Sequence, residues 1–400
     1  MELETLRNLA VKAETKIVLL VLDGLGGLPA EPGGLTALEA ARTPNLDALA
    51  ARGVTGLVDP VGVGITPGSG PGHLGLFGYD PVKYQIGRGV LEALGIDIAL
   101  TPNDVAARGN FCTVDQTGRV TDRRAGRPTT ELCIELSRVL DSIKVTGAEV
   151  IVRPVKEHRF VVLFREHGLS DQLTESDPQR LGEGPLKVEA KVPEAERTAG
   201  IVNVFIEQAR SLLKEKHPAN MILLRGFAKH PNLRTFQELY KLRAAAIAVY
   251  PMYRGLGKLA GMEALPTGPS VREEFEVLHR HWQAYDFFYL HVKGTDTAGE
   301  DGNFHAKVAV IEDVDREIPT LVGLGPDVVV VSGDHSTPAT LKAHSWHPVP
   351  LLLASRWCRP DGVQEFSERG CLQGGLGRLF GKQILPLVLA HAERLTKFGA

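Results

Sequence analysis

The sequence predicts an α/β fold: a core sheet covered by helices on both faces, interrupted by an inserted α+β cap. Three observations predict it. Short apolar runs of strand length end in acidic residues, helical patterns lie between and after them, and the composition changes in the middle of the chain. The first run, Ile17 to Leu22, is followed by Asp23 and Gly24. The second, Phe287 to Leu290, leads through His291 and Lys293 to Asp296, and the third, Asp327 to Val331, leads to Asp334 and His335. Continuous apolar runs of this length read as strands buried on both faces, as in a parallel sheet. Ligands of such sheets gather beyond the carboxyl ends of the strands, so acids placed there point at one site.

The helices follow from caps and spacing. Thr43-Pro44-Asn45 opens a helix carrying Leu46, Leu49 and Ala50, and Gly53 stops it. Val271, Phe275, Leu278 and Trp282 fall at helical spacing within residues 270–284, and a last helix is expected over 384–397. The middle reads differently. Residues 113–127 are polar and Arg-rich, 150–166 alternate as a sheet does, and 171–197 are rich in Asp, Glu, Pro and Gly. The expected division is therefore a discontinuous core, 1–98 and 261–400, with an inserted cap over 99–260.

Charge narrows the function classes. In 400 residues, 45 Lys and Arg stand against 48 Asp and Glu, a net charge of −3. That balance offers no basic field for nucleic acid and no acidic tail. The apolar run near the N-terminus stops at Asp23, far short of the ~20 residues that span a bilayer, so neither a membrane partner nor an export signal is expected. Cys112, Cys133, Cys358 and Cys371 are scattered without a CxxC, which fits a reduced, cytoplasmic setting.

The chemistry concentrates in two stretches. In residues 66–81, Ser69 lies among Gly68, Gly70 and Gly72, which lets backbone approach a ligand and exposes the hydroxyl. The same glycines also suit a turn that merely redirects the chain. No GxSxG elbow or P-loop ending is present, so serine hydrolase and nucleotide-binding readings are weak. Beyond the third strand, Asp334-His335 is followed by His344 and His347, just before another apolar run, Leu351 to Ala354. Several imidazoles with carboxylates at one sheet edge suggest a mixed nitrogen–oxygen metal cluster.

With these motifs the chain resembles the alkaline phosphatase superfamily, and most closely the archaeal-type cofactor-independent (2,3-bisphosphoglycerate-independent) phosphoglycerate mutases. The resemblance runs through Leu22-Asp-Gly24, Thr43-Pro-Asn-Leu-Asp47, the Ser69 segment, Tyr84-Gln-Ile-Gly-Arg-Gly89 and residues 103–111 and 122–127. It continues through Leu224-Arg-Gly226, residues 291–296 and 332–338, and the His344 segment with Pro348-Val-Pro350. It implies an alkaline-phosphatase-like core and a cytoplasmic isomerase of glycolysis and gluconeogenesis. Such an enzyme interconverts 3- and 2-phosphoglycerate through a phosphoserine at Ser69, without a bisphosphoglycerate cofactor. It also implies two divalent ions, Mn²⁺ in the first place, with Mg²⁺, Co²⁺ or Zn²⁺ as alternatives. Asp23, Ser69, Asp334 and His335 match the ligands of one ion; Asp296, residue 300 and His344 match those of the other. A related metal-dependent phosphatase, or a phosphotransferase with another small acceptor (homoserine-kinase-like), is the alternative.

The chain departs from the family pattern at two positions. The family has His where this chain has Glu300, and Asp where it has His347. Either Glu300 ligates directly, or His347 takes the vacated place; otherwise His347 lies behind the ligands. Arg108, Arg123, Arg124, Arg127 and Arg254 fall in family-like segments and, with Lys293, are the residues expected to bind substrate, because guanidinium forks suit phosphate and carboxylate. His73, Tyr79 and Asp80 are expected to shape the Ser69 segment. Oligomeric state is not legible in the sequence.

Overall fold

The computed structural model describes residues 2–399. In chain order its strands are β1 (Ile17–Leu22), β2 (Val54–Asp59), β3 (Asp104–Val114), β4 (Val120–Asp122), β5 (Glu149–Lys156), β6 (Arg159–Arg165) and β7 (Met221–Ala228). There follow β8 (Ala244–Ala248), β9 (Glu263–Leu265), β10 (Phe287–Val292), β11 (Val328–Ser332), β12 (Val349–Ser355) and β13 (Gly377–Phe380). The chain forms two compact units: one takes the chain up to Gln85 and from Leu233 onward, the other is Ile86–Asn232.

The larger unit is built on an eight-stranded sheet ordered β13-β2-β12-β11-β1-β10-β8-β9. Its central strands are buried along their whole length, as the unbroken apolar runs of the sequence require. Val18, Leu20 and Leu22 of β1 face helices Pro44–Arg52, Val271–His281 and Phe304–Gly323. On the other face, Phe287 and Tyr289 of β10 meet Phe236 and Phe77 at ring-centroid distances of 5.0 and 4.9 Å. Helices therefore cover both faces. The Val271–His281 helix starts at a capping box in which Ser270 and Glu273 satisfy each other's backbone N–H groups.

Three expectations need correction. The sheet is mixed: β1 runs parallel to β10 and β11, but β12 is antiparallel to both β11 and β2. Residues 333–348 join β11 to β12 without a crossover helix, which antiparallel neighbours do not need. The inserted unit begins and ends earlier than 99–260. Helix Arg88–Gly95 packs on β3 and β7, whereas β8 pairs with β10 and so belongs to the larger sheet. The last helix stops at His391, because the chain beyond it turns back to pair Leu395 with Ala10.

The inserted unit has a five-stranded sheet in which β3 pairs antiparallel with β4, β6 and β7, and β6 with β5. The alternating stretch expected over 150–166 is thus the β5–β6 hairpin. Helices Thr130–Asp141 and Glu196–Leu213 supply Leu136, Leu140, Val202, Phe205 and Ala209 to this unit's own core, which also holds Phe160, Phe164 and Leu223. The acidic and glycine-rich residues from 171 on form an irregular connection up to the 3₁₀ turn at Pro193–Ala195.

One buried carboxylate ties two helices of the larger unit together. Asp315, on Phe304–Gly323, accepts the backbone N–H groups of Asn45 and Leu46 at 3.0 and 2.8 Å and the Asn45 side-chain amide at 2.9 Å. It caps Pro44–Arg52 in place of Thr43, whose hydroxyl makes no cap bond. Asp315→Ala would leave buried donors unsatisfied and should destabilise the protein by about 2–4 kcal/mol, read as a lowered urea midpoint at unchanged slope.

Candidate active site

β11, β1 and β10 lie side by side, and their carboxyl ends deliver the acids expected there. Asp23 follows β1, Asp334 and His335 follow β11, and Asp296 lies on the short helix Gly294–Glu300 that follows β10. All four are buried. The tight turn after Asp23 needs Gly24, at φ +64°, since a Cβ there would lie 2.4 Å from the Thr337 hydroxyl and 3.0 Å from Asp296 Oδ1.

Ser69 is not in a loop. It opens helix Ser69–Leu76 with Gly68 as the cap, so the glycine-rich stretch redirects the chain straight into a helix. Gly72, one turn on, lets that helix sit against Asp334, where any Cβ would meet the Asp334 carbonyl at 2.1 Å. His73 contacts Ser69 O at 2.8 Å and Asp334 Oδ2 at 3.1 Å through Nδ1. This is the shaping role expected of it. Tyr79 donates to the Arg234 carbonyl at 2.7 Å and Asp80 pairs with Lys382 at 2.6 Å, which anchors the end of the same segment.

The polar atoms converge on one point. His335 Nε2 lies 3.2 Å from Asp23 Oδ1, 3.2 Å from Asp334 Oδ2 and 3.3 Å from Ser69 Oγ. Asp334 Oδ1 accepts the Gly24 N–H at 3.1 Å, while Oδ2 and both Asp23 oxygens are buried without a hydrogen-bond partner. Burial pushes the Asp23 carboxyl up, but Lys293, His291 and His335 outweigh it and hold it well below the usual range. Burial pushes the His335 imidazole down, yet Asp334 and Asp23 overcome this and raise it to about 9. Carboxylates that hold a proton on Nε2 so firmly suit a divalent cation in its place.

Among the described residues, two sets of donor atoms, each gathered within 4.8 Å, could hold an ion: Asp23, Asp334 and His335, and Asp296, His335 and His344. His335 cannot serve both through one lone pair. The Thr337 hydroxyl, 2.7 Å from Asp296 Oδ1, gives its only proton to that carboxylate, so at 2.9 Å it accepts from His335 Nδ1. When a cation takes the place of the Nε2 proton, the His335 lone pair is therefore on Nε2, with Asp23, Asp334 and Ser69. His344 stacks on His335 with ring centroids 3.6 Å apart, and its Nδ1–H donates to the Pro67 carbonyl at 2.9 Å. Its Nε2 then points at Asp296 Oδ1, 3.6 Å away, and Glu300 Oε1, 3.9 Å away. Residues whose unpartnered oxygens and free imidazole lone pairs converge like this fit divalent cations.

The exchanged positions differ. Glu300 faces His344 from the end of the Asp296 helix, with its side chain about half exposed. His347 instead bonds the Ser345 hydroxyl at 3.0 Å through Nδ1, stacks on Trp346, and lies in neither donor set. Lys293 is held between the acids, 3.1 Å from Asp23 Oδ2 and also paired to Asp296.

The expected arginines fare unevenly. Arg123 is committed to a two-pronged pair with buried Asp177, at 2.6 and 3.0 Å. Arg108 lies 3.9 Å from Glu92, and its guanidinium is pushed down to about 10 by burial and by Arg159, Arg88 and Arg225 against the pull of Glu92. Arg124 and Arg127 flank a tight turn in which Ala125 and Arg127 adopt φ +48° and +53°. Both add to the positive field that, after burial, helps push the His158 imidazole down to about 3. Arg254 lies on helix Pro251–Leu259 of the larger unit. The sequence reading missed Arg159 in this group. It also missed Tyr253, Thr337 and Lys307, which touch the site or its loops.

Residues 50–220 match the family model described as 2,3-bisphosphoglycerate-independent phosphoglycerate mutase. A Thermus thermophilus protein named probable 2,3-bisphosphoglycerate-independent phosphoglycerate mutase is 52% identical over 403 residues, covering 99% of this chain and 98% of its own. A Thermotoga neapolitana protein of the same name is 52% identical over 395 residues, covering 98% of each. Among solved structures, the PH0037 protein of Pyrococcus horikoshii superposes with a TM-score of 0.84 at 31% identity, covering 97% of this chain and all of that one. The cofactor-independent phosphoglycerate mutase of Thermoplasma acidophilum superposes with a TM-score of 0.72 at 31% identity, covering 94% of this chain and all of that one.

Proposed function

The chain belongs to the 2,3-bisphosphoglycerate-independent phosphoglycerate mutase family, and from that premise we propose that it interconverts 3- and 2-phosphoglycerate by passing one phosphoryl group through Ser69. The observation that carries this reading is the Ser69 hydroxyl itself. It opens a helix and lies 3.3 Å from His335 Nε2, beside buried carboxylate oxygens that accept no hydrogen bond. In this reading Asp23, Asp334 and His335 with Ser69 hold one divalent cation, and Asp296, His344 and Glu300 hold a second. Cations bound there would polarise the phosphoryl oxygens and favour the serine alkoxide over its alcohol.

The remaining work falls to the chain. Ser69 Oγ attacks the phosphorus of 3-phosphoglycerate, the bond to the C3 oxygen breaks, and that oxygen leaves protonated as glycerate. The C2 hydroxyl oxygen of the same glycerate then attacks phosphoserine, and Oγ regains its proton. The N–H groups of the first helical turn suit the phosphoryl oxygens. Lys293 supplies positive charge beside Asp23 and Asp296, while Arg108 and the arginines around it in the inserted unit suit the carboxylate or phosphate of the substrate. No bisphosphate is required, because the enzyme itself stores the phosphoryl group.

Ser69→Ala tests this reading. It should keep its thermal midpoint and, through Asp23, Asp334 and His335, most of its bound cation, but lose conversion of 3- to 2-phosphoglycerate measured by NMR without added bisphosphate. More than trace turnover would remove Ser69 as nucleophile.

Cation titration tests the ligand assignment. By elemental analysis, Glu300→Ala should fall toward one Mn²⁺ per chain, whereas His347→Ala should keep two. The reverse pattern would transfer the ligand role to His347.

Arg108→Lys should lower kcat/KM by about 10-fold or more despite the kept charge, since an ammonium lacks the paired planar donors. An unchanged value would place Arg108 outside the substrate site.

A further inference from the structure

Tyr253 lies on helix Pro251–Leu259, is 1% exposed, and donates its phenolic O–H to Ser69 Oγ at 3.3 Å. Its ring cannot readily swing away. It stacks on His291 with centroids 3.7 Å apart and planes at 23°, meets His73 at 5.2 Å, and carries the Lys293 ammonium 5.6 Å above its face. Other buried tyrosines of the same unit show what a structural phenol does here. Tyr79 gives its proton to the Arg234 carbonyl and Tyr240 to the Phe77 carbonyl, at 2.7 and 3.1 Å. Tyr253 is aimed instead at a side-chain hydroxyl, the one whose oxygen must form and break a bond to phosphorus. We propose that Tyr253 is a catalytic residue that hydrogen-bonds Ser69 Oγ as the leaving group when phosphoserine is broken down.

The inference rests on the phosphoserine reading above. In the second transfer the glycerate hydroxyl oxygen forms its bond to phosphorus and the Oγ–P bond breaks. The electron pair of that bond passes to Oγ, and the hydroxyl proton ends there. Negative charge therefore grows on Oγ, where a fixed donor stabilises the transition state more than the ground state.

The test compares wild type with Tyr253→Phe, which keeps the ring and its stack on His291. Both are loaded with Mn²⁺, mixed with 3-phosphoglycerate, quenched rapidly, and read by intact mass for a phosphorylated chain alongside kcat and KM. The variant should lose about 100-fold in kcat with KM little changed, the cost of one such donor. Its phosphorylated fraction should rise above that of wild type, because breakdown slows. Fluorinated tyrosines at 253 provide a second measurement, in which the rate of phosphoserine breakdown should follow the acidity of the phenol. Wild-type kcat and phosphorylated fraction in Tyr253→Phe, or a breakdown rate indifferent to fluorination, would overturn the role of Tyr253 alone. A wild type that turns over with no phosphorylated chain at any time would overturn the phosphoserine reading and this inference with it.

Discussion

Three carboxylates buried together are the constraint around which the larger unit is arranged. Asp23, Asp296 and Asp334 come from the ends of three adjacent strands, and their mutual repulsion is strong in a medium of low dielectric. Each is answered by specific groups. Lys293 bridges Asp23 and Asp296, Thr337 donates to Asp296, the Gly24 N–H donates to Asp334, and His335 stands between Asp23 and Asp334. The oxygens left over are those that face Ser69 and the imidazoles. A buried set of charges that is incompletely satisfied costs stability, and folds keep such sets where a ligand completes them.

The loops bearing these acids are fastened from behind. Lys307 is fully buried on helix Phe304–Gly323 and donates to the carbonyls of Gly24, Gly26 and Thr337 at 2.7, 3.1 and 2.8 Å. Burial pushes this amine down to about 8, yet its three donors match three acceptors. It thereby fixes the turn after β1 to the turn after β11, which carry Asp23 on one side and Asp334 and His335 on the other. The antiparallel entry of β12 completes the set. The chain leaving β11 and the chain entering β12 lie at the same end of the sheet, so His344 returns to stack on His335. Two imidazoles nine residues apart meet because no crossover helix separates them.

What the sequence revealed and what it hid follow from the range of the interactions. β1, β10 and β11, and the acids after them, were legible because an apolar run and the residue ending it are adjacent in the chain. The helix start at Pro44 and the capping box at Ser270 are equally local. Ser69 was legible as an exposed hydroxyl among glycines, but not as the first residue of a helix, since three glycines in eight positions argue against one. That helix is held by tertiary contact, with Gly72 against Asp334. Tyr253, Thr337 and Lys307 carried no local signal at all. Tyr253 reaches Ser69 across 184 residues of sequence, and a tyrosine or lysine within a helical pattern reads as an ordinary one. The division of the chain was blurred for a related reason. β8 is a short run of alanine and isoleucine, and only its pairing with β10 shows which sheet it joins.

The two units also divide the charge. The larger unit gathers carboxylates and imidazoles, a set suited to cations. The inserted unit gathers Arg88, Arg108 and Arg159 around the buried carboxyl of Glu92, a set richer in cations. Glu92 lowers the cost of burying Arg108. The net charge of −3 conceals this, because it sums two opposite fields that different cores hold in place.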